Sequence, residues 1–429
     1  MWSDNRAGSF ETLPETSVVF LVNFLAPNHV AVCHELAQRV KSLTILSSVA
    51  MEGNRDWQPE WDGLDVRVQK TWTMTRRVGH PGGYEDVNYI HVPRDTLSQL
   101  RHLRPDAIVS LELGARTTLA GIHQKRFPSC AMVTSVYASQ RSEAGRGWIR
   151  RATRRRLLKK ADWVTFNGPS CREYLLGLGA RPSRMSPWDY AADPTKPYRG
   201  PLRRDNETSH EVNILTVGQL SERKGILPAA EQLGRWALQN PSLRVQWHLL
   251  GSGPLETALR EFPRPDHLNI HFHGHCDPQQ IREAYRDSDV LLFPTLTDEW
   301  GLVVDESLHS GLPVIGSVHS QAATTLIQSG QNGFLYDPEQ TSDGQHDSLC
   351  ASLDAWYWSD SESIDAAKPR HARSAESRLE MRESARSSTA DRTPERSAIQ
   401  LVNAISSAMQ VRGGSHESIG NQDVVGAGR

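Results

Sequence analysis

Residues 293–306 read Phe-Pro-Thr-Leu-Thr-Asp-Glu-Trp-Gly-Leu-Val-Val-Asp-Glu, and they combine the end of an apolar run, an acidic loop and the start of a helix. The apolar run predicts a buried strand, and Trp300 with Gly301 is expected to open the helix. At 3.6 residues per turn, the eight-residue step from Asp298 to Glu306 returns to nearly the same helix face. Two carboxylates so placed can accept hydrogen bonds from a hydroxyl-rich ligand while the helix N-terminus faces phosphate oxygens. The alternative is an acidic cap followed by a solvated acid on an amphipathic helix.

Short apolar runs bounded by glycine, proline or aspartate recur on both sides of this stretch and alternate with helical patterns. In the C-terminal half, the predicted strands are residues 212–217, 245–250, 270–272, 290–293 and 313–315. In the N-terminal half, they are residues 18–22, 43–46, 64–68, 107–111, 131–134 and 163–166. Strands that alternate with helices form parallel sheets covered on both faces. The sequence therefore predicts an α/β protein of two Rossmann-like, doubly wound parallel-sheet domains facing a cleft.

A segment rich in Pro, Lys, Arg and Asn, without apolar periodicity, separates the two halves and predicts a linker. The predicted division is a disordered N-terminus at 1–16, an N-terminal domain at 17–192, the linker at 193–210, a C-terminal domain at 211–395, a helix at 397–412 and a disordered tail at 413–429. The polar segment 339–396 is expected to be partly disordered, because it offers few apolar residues to a core.

Length and composition limit the classes of function. A chain of 429 residues is long enough for two domains, and a formal charge of −2 provides no overall field that would select nucleic acid. The five cysteines form no C-x-x-C pair, which argues against a zinc site or a disulfide framework and indicates a reducing compartment. No segment supplies the roughly 18 apolar residues of a membrane span, and residues 1–14 lack the apolar core of a signal peptide. A cytoplasmic protein is expected.

Two glycine-containing loops follow predicted strands of the C-terminal half. Gly218-Gln-Leu-Ser-Glu-Arg-Lys-Gly225 lies between a strand and a helix, where backbone N–H groups and two basic side chains can bind a diphosphate. The alternative is an ordinary strand-to-helix turn with solvated basic residues. Gly251 and Gly253 permit a tight turn and close approach of the backbone to a ligand, or serve only to turn the chain. The missing third glycine argues against a dinucleotide fingerprint.

In their order along the chain, these motifs resemble the donor-binding domain of glycosyltransferase family 4, which comprises retaining enzymes of the GT-B fold. Residues 218–225 resemble the loop G-R-x-x-x-x-K-G, residues 251–254 the G-x-G-P turn, and residues 285–294 the stretch Y-x-x-A-D-x-x-x-x-P. Residues 298–306 resemble the E-x(7)-E motif with G-x-P-V behind it, and residues 332–335 match the N-G-F-L turn. The resemblance covers residues 212–338.

The resemblance implies a hexosyltransferase-like enzyme that needs no cofactor. The implied donor is a nucleoside-diphosphate sugar, UDP- or GDP-linked, and the implied acceptor is a hydroxyl of a polysaccharide, lipid-linked glycan or small glycoside. Lys224 is implied to contact the donor diphosphate, and Asp298 the transferred sugar, with Glu299 as a competing candidate; these three are the implied catalytic residues. Glu306 is implied to hold the ribose. The implied donor-binding residues are Gly218, Gln219, Arg223, Gly251, Gly253, Trp300, Gly301, Leu302 and Glu306.

Two departures from the family pattern leave alternatives open. Gln219 stands where the first loop of the family has arginine, and Asp298 stands where the family has the longer glutamate. A non-catalytic nucleotide-sugar-binding protein is therefore an alternative to an enzyme. Another GT-B activity, such as that of a sugar-nucleotide epimerase, is a second alternative.

The N-terminal half resembles the family only in outline. His29 and Glu143 are its candidates for the acceptor side, and a loop or capping role is the alternative for each. Residues 146–160 concentrate Lys and Arg, which indicates either a basic amphipathic helix on anionic lipid or a solvated helix face. Asp287-Ser-Asp289 precedes an apolar strand rather than following one, so we interpret it as a helix-to-strand turn and expect no essential metal.

Overall fold

The computed structural model describes residues 10–53, 60–203, 210–340, 348–358 and 371–420, without the side chains of Asp86 and residues 414–420. The chain divides into two compact units. Unit 1 comprises residues 1–78, 86–191 and 393–429, and unit 2 comprises residues 79–85 and 192–392.

Unit 1 is built on a seven-stranded sheet in the order β3-β2-β1-β6-β7-β8-β9, and all of its strand pairs are parallel. The first part of the chain contains β1 (Leu13–Val22), α1 (Pro27–Ala37), β2 (Val40–Ser47), β3 (Asp65–Val68), β4 (Thr71–Gly79), β5 (Glu85–Pro93), α2 (Thr96–Leu103), β6 (Ala107–Leu111), α3 (Ala115–Arg126), β7 (Ala131–Val136), α4 (Trp148–Leu158), β8 (Trp163–Phe166), α5 (Pro169–Gly177) and β9 (Met185–Pro187). The strands β4 and β5 form a separate two-stranded sheet.

Alternation along β1 shows why this sheet is covered on both faces. Val18, Phe20 and Val22 belong to one buried cluster. Val19 and Leu21 belong to a second cluster on the opposite face. Because successive side chains of a strand point to opposite faces, an uninterrupted apolar run has to be buried on both sides.

Unit 2 is built on a six-stranded parallel sheet in the order β12-β11-β10-β13-β14-β15. Its elements are β10 (Glu211–Val217), α6 (Ile226–Gln239), β11 (Arg244–Leu250), α7 (Glu256–Arg260), β12 (Leu268–Gly274), α8 (Pro278–Asp287), β13 (Val290–Phe293), α9 (Leu302–His309), β14 (Val314–Ser317), α10 (Gln321–Leu326), β15 (Gly333–Tyr336), α11 (Ser348–Tyr357) and α12 (Ala375–Ser388). Numbered within the unit, the order is 3-2-1-4-5-6, that of a doubly wound nucleotide-binding sheet. The prediction of two doubly wound parallel sheets is confirmed.

The chain ends differ from the predicted division. Strand β1 begins at Leu13, inside the segment expected to be disordered, because its N–H donates to the carbonyl of Arg39 at 2.6 Å. The last helix, α13 (Pro394–Gly420), is longer than the helix expected at 397–412 and extends into the predicted tail. Its apolar face is buried in unit 1 rather than in the C-terminal domain, through residues that include Leu401, Val402 and Ile405.

Two further segments were expected to be a partly disordered polar region, at 339–396, and a linker, at 193–210. Within 339–396, the described residues form α11 and α12, whose buried residues include Leu353, Trp356 and Met381. In the predicted linker, Tyr198 N–H donates to Ser310 Oγ at 2.8 Å, so residues 193–203 are attached to unit 2. The remaining parts of these predictions, at 1–9, 204–209, 341–347, 359–370 and 421–429, lie outside the described residues.

Among the helices in the described part of the chain, none combines the length and the apolar character that a membrane crossing requires.

Candidate functional site

The sheet of unit 2 reverses its winding between β10 and β13, and the loops that follow these two strands lie side by side. The N–H of Leu296 donates to the carbonyl of Arg223 at 2.9 Å, which joins the two loops directly. Gly225 has φ +65°, and a Cβ there would lie 2.1 Å from the carbonyl oxygen of Pro294. The glycine is therefore required by both the backbone angle and the close approach. In open α/β sheets, ligands bind at such a switch point, beyond the carboxyl ends of the strands.

A third loop, after β11, packs against the first. Leu220 N–H donates to the carbonyl of Ser252 at 3.0 Å. A Cβ on Gly251 would lie 2.0 Å from the carbonyl oxygen of Gly218, and one on Gly253 would lie 2.3 Å from that of Leu220. These glycines thus allow three loop backbones to pack together at the carboxyl edge of the sheet.

A charged cluster occupies this edge. Lys224 Nζ lies 2.5 Å from Asp298 Oδ2, and Arg223 Nη1 lies 3.6 Å from the same oxygen. Arg223 also donates to the carbonyl of Thr297 at 3.0 Å, and the N–H of Trp300 donates to Asp298 Oδ1 at 3.3 Å. Burial by itself raises the pKa of Asp298, but the Lys224 and Arg223 charges outweigh it and lower this pKa to about 2. Asp298 is therefore ionised at neutral pH, within a surplus of positive charge.

The N-terminus of α9 adds to this positive surplus. Gly301, with φ +103°, is its N-cap residue, and no side chain caps the first N–H groups. Such uncapped N–H groups and the helix dipole favour an anion. Leu302 begins the helix, so Asp298 belongs to the preceding loop, and the predicted helical step between Asp298 and Glu306 is wrong. The physical reason is that the left-handed backbone at Gly301 cannot belong to a right-handed α-helix.

The two residues that follow Asp298 differ in burial and in hydrogen bonding. Glu299 is exposed, and its carbonyl accepts a hydrogen bond from Gln321 at 2.8 Å. Trp300 is buried, its carbonyl accepts from Ser320 Oγ at 2.6 Å, and its Nε1 has no hydrogen-bond partner among the described residues. Asp298 contacts both basic residues of the cluster. Gln219, at the departure from the family pattern, is exposed.

Glu306 is buried on α9. Its Oε2 accepts from the Tyr285 hydroxyl at 2.9 Å, and its Oε1 lies 3.5 Å from Lys196 Nζ. Burial raises the pKa of Glu306, and Lys196 opposes that effect. Sequence reasoning did not single out Lys196, which lies in the predicted linker. Tyr285 is the first residue of the family motif at residues 285–294.

The two candidates of unit 1, His29 and Glu143, both contact other side chains of that unit. His29 is buried on α1, stacks on Tyr137 and Trp188, and its Nε2 lies 3.1 Å from the Tyr137 hydroxyl. Burial lowers the pKa of His29 to about 4, so this imidazole is neutral at physiological pH. Glu143 accepts from Arg150 at 2.8 Å and lies 2.9 Å from Arg154. Its carboxylate therefore anchors the basic helix α4.

Helix α4 presents an unusual surface. Trp148 and Ile149 are 78% and 65% exposed, whereas Arg154, Leu157 and Leu158 are buried. Five basic side chains on this helix or directly after it are exposed: Arg150, Arg151, Arg155, Arg156 and Lys159.

The acidic pair before β13 has a different setting. Asp289 lies between α8 and β13, where it accepts from Arg203 at 2.7 Å and from the Asn213 N–H at 2.7 Å. This carboxylate thus links elements of unit 2 at a helix-to-strand turn.

Comparison with known proteins gives two family matches. The profile of "Glycosyl transferases group 1" matches residues 211–353, and the profile of "Glycosyl transferase 4-like domain" matches residues 29–188. Sulfoquinovosyl transferase SQD2 of Arabidopsis thaliana is 26% identical over 145 residues, which are 33% of this chain and 27% of that protein. The aligned region thus spans about a quarter of that relative's length.

Solved structures extend the likeness to most of the chain. Sucrose-phosphate synthase (tll1590) from Thermosynechococcus elongatus has a TM-score of 0.60 at 16% identity, over 90% of this chain and 97% of that one. Anabaena Alr3699/HepE in complex with UDP-glucose has a TM-score of 0.61 at 13% identity, over 90% of this chain and 98% of that one. At such identities the likeness concerns the fold, which is GT-B.

Proposed function

Because the chain belongs to the group 1 glycosyl transferases of the GT-B fold, we propose that it transfers a sugar from a nucleoside-diphosphate sugar to a hydroxyl acceptor with retention at the anomeric carbon. The observation that carries the proposal is the cluster of Lys224, Arg223 and Asp298 beside the uncapped N-terminus of α9, at the switch point of unit 2. The described contacts of the cluster place two basic side chains and a helix N-terminus beside the carboxylate of Asp298. A diphosphate fits this chemistry.

In the proposed reaction, Lys224, Arg223 and the first N–H groups of α9 stabilise the charge that grows on the departing diphosphate. The bond between the anomeric carbon and the diphosphate oxygen breaks while a bond to the acceptor oxygen forms on the same face. The acceptor proton passes to an oxygen of the leaving phosphate, so no separate base is needed. Asp298 orients Lys224 and accepts from a sugar hydroxyl, and Glu306 accepts from the ribose hydroxyls.

UDP is the first nucleotide to test, because the structurally similar Anabaena protein was solved with UDP-glucose. GDP and ADP are its comparison ligands. Thermal unfolding of the EDTA-treated protein is measured with each diphosphate and its sugars. A ligand at 100 times its Kd stabilises the folded state by about 2.7 kcal/mol, which is readily seen as a raised midpoint.

The proposal predicts stabilisation by one nucleotide class in the wild-type protein and its loss in Lys224→Ala. The matched control is Lys125→Ala, which removes an exposed lysine from α3 in unit 1. A midpoint that rises equally in Lys224→Ala would place the diphosphate elsewhere. If no nucleotide raises the unfolding midpoint of the wild-type protein, the donor-binding function is rejected.

The alternative of a non-catalytic nucleotide-sugar-binding protein is favoured by the exposed Gln219, which brings no charge where the family has arginine. Nucleotide release from the bound sugar donor separates the two functions. An enzyme releases the diphosphate repeatedly when acceptor glycans are supplied, whereas a binding protein is stabilised by the donor and releases none.

The finer part of the proposal is a lipid-linked acceptor reached from the cytoplasmic face of a membrane. It is supported by α4, where exposed Trp148 and Ile149 adjoin the exposed basic side chains. An amphipathic helix of this kind inserts its apolar residues at the headgroup level, and anionic lipid attracts its basic ones.

Vesicle sedimentation tests the membrane contact. Phosphatidylserine-containing vesicles are expected to bind the protein in preference to pure phosphatidylcholine. At about 1 kcal/mol per basic residue, Arg155→Gln/Arg156→Gln is expected to weaken binding roughly 30-fold, whereas Lys125→Gln has little effect. Equal binding to both lipids, unchanged in the double variant, would refute this contact.

A further inference from the structure

Three potential metal ligands converge at the carboxyl edge of the unit 2 sheet, apart from the charged cluster. His319 follows β14, and Asp337 with Glu339 follows β15. The two strands are parallel neighbours paired at Ser317 and Tyr336, and the Val318 N–H continues the ladder to the Tyr336 carbonyl at 2.9 Å. The two loops therefore leave the sheet side by side.

The distances fit a shared cation better than a direct ion pair. His319 Nε2 lies 3.6 Å from Asp337 Oδ1 and 4.0 Å from Glu339 Oε2. Both separations exceed a hydrogen bond, and a ring nitrogen carries only one proton, so it cannot serve two carboxylates at once. A tetrahedral Zn²⁺ with ligand bonds of about 2.1 Å holds its ligand atoms about 3.4 Å apart. The three ligand atoms lie within 4.8 Å of one another, so movements of about 1 Å would bring them to that geometry.

Local hydrogen bonds already hold the ligands near these positions. The Glu339 N–H donates to Asp337 Oδ1 at 3.0 Å, and the Asp337 N–H donates to Ser348 Oγ at 2.9 Å. The His319 side chain is mostly buried. The backbone N–H of His319 donates to Ser317 Oγ at 3.1 Å. Glu339 is exposed, so its side chain is able to make the remaining movement.

We propose that His319, Asp337 and Glu339 bind one divalent transition-metal cation. The mixed imidazole and carboxylate set suits Zn²⁺, with Mn²⁺ as the second candidate. This site is separate from Asp287 and Asp289.

The site adjoins the segment that carries Asp298. The His319 carbonyl accepts the Asp298 N–H at 3.2 Å, and Ser320 donates to the Trp300 carbonyl at 2.6 Å. A cation that fixes His319 therefore also restrains the loop before α9. One consequence, which rests on the proposed function, is that Zn²⁺ tightens UDP binding without being required for it.

Isothermal titration of Zn²⁺ alone into tag-free, chelator-treated protein tests the site. A second imidazole cluster also needs control, because His248 Nδ1 lies 3.0 Å from His273 Nε2 and the His248 ring stacks on His271 at 4.8 Å. The titration is therefore made in the wild-type protein and in His271→Gln/His273→Gln.

One Zn²⁺ per chain is expected to bind in the His271→Gln/His273→Gln background. Adding Glu339→Gln or Asp337→Asn is expected to weaken this binding roughly tenfold or more, because each removes a charged ligand. Glu383→Gln, at an exposed glutamate of α12, is the matched control, and circular dichroism checks that every variant is folded.

Unchanged affinity in both ligand variants, or absence of Zn²⁺ binding in the background variant, would overturn the metal site. UDP titrations with and without Zn²⁺ form a separate arm. Failure of UDP to bind under either condition counts against the proposed function, whereas failure of Zn²⁺ to bind counts against the metal site alone.

Discussion

Removal of the Asp298 charge is expected to destabilise unit 2 by an amount that depends on pH. The pKa of about 2 lies below the ordinary value of 3.8 because Lys224 and Arg223 outweigh the effect of burial. At 1.36 kcal/mol per pKa unit, this difference corresponds to about 2 kcal/mol of stability. The Asp298 side chain is only 15% exposed, so solvent screening reduces the figure little. Asp298→Asn is therefore expected to cost about 2 kcal/mol at pH 7.

The sign of the pH dependence follows from the lowered pKa. The stabilisation is fully present above the unfolded-state pKa near 4 and is lost as the pH falls through the folded-state value near 2. About half of it remains at pH 3. The difference between the wild-type protein and Asp298→Asn should therefore shrink by about half between pH 7 and pH 3.

The free energy of unfolding of unit 2 is measured directly by hydrogen exchange. Mass spectrometry follows exchange of the peptide covering residues 294–301 in a urea series. A global unfolding curve would mix two units that need not unfold together. Lys224→Met and the double variant complete a mutant cycle, in which the double variant should cost less than the sum of the singles. Asp266→Asn, at an exposed acid of unit 2, is the control. Equal losses at pH 7 and pH 3, or additive single variants, would refute the ion pair as the cause.

Three further outcomes are expected in unit 2. Gly225→Ala should destabilise unit 2 by about 1–3 kcal/mol in the same urea series of hydrogen exchange, because its Cβ would collide with the Pro294 carbonyl at 2.1 Å and φ is positive; unchanged stability would contradict the close approach. Tyr285→Phe should cost about 1 kcal/mol by the same measurement, since it removes the hydrogen bond to buried Glu306. Glu306→Ala should weaken UDP affinity in titration calorimetry by roughly tenfold or more, and unaltered affinity would remove Glu306 from the proposed donor site.

The fold was predictable where side-chain patterns were strong. Each strand from β10 to β14 overlaps a predicted apolar run. The signal is strongest at β13 and β14, whose residues are all buried, because a strand buried on both faces has to be largely apolar. The strands β4 and β5 were missed although Trp72 and Met74 alternate with threonine along β4; these apolar side chains are exposed and belong to no buried core. Strand β15, Gly333–Tyr336, was missed because residues 332–335 were interpreted as the N-G-F-L turn of the family motif.

The candidate site was predictable where it is formed by loops next to strand ends. Lys224 and Asp298 each follow a predicted strand, and β10 and β13 are neighbours in the sheet, so their loops had to meet. The helical spacing expected between Asp298 and Glu306 does not hold, because Gly301 has a positive φ and interrupts the helical pattern, which leaves Asp298 outside the helix.

Lys196 shows where sequence reasoning fails for a physical reason. It lies in a Pro- and Arg-rich segment without periodicity, yet its Nζ is 3.5 Å from a buried carboxylate oxygen of Glu306. An ion pair between residues 110 positions apart has no repeat or spacing that reveals it; only the path of the folded chain brings the two charges together. Because burial alone raises the pKa of Glu306 and Lys196 opposes this, the lysine favours the ionised form that would accept ribose hydroxyls. Lys196, which composition assigned to a linker, thus favours the charged form of Glu306, the residue that the family motif identified.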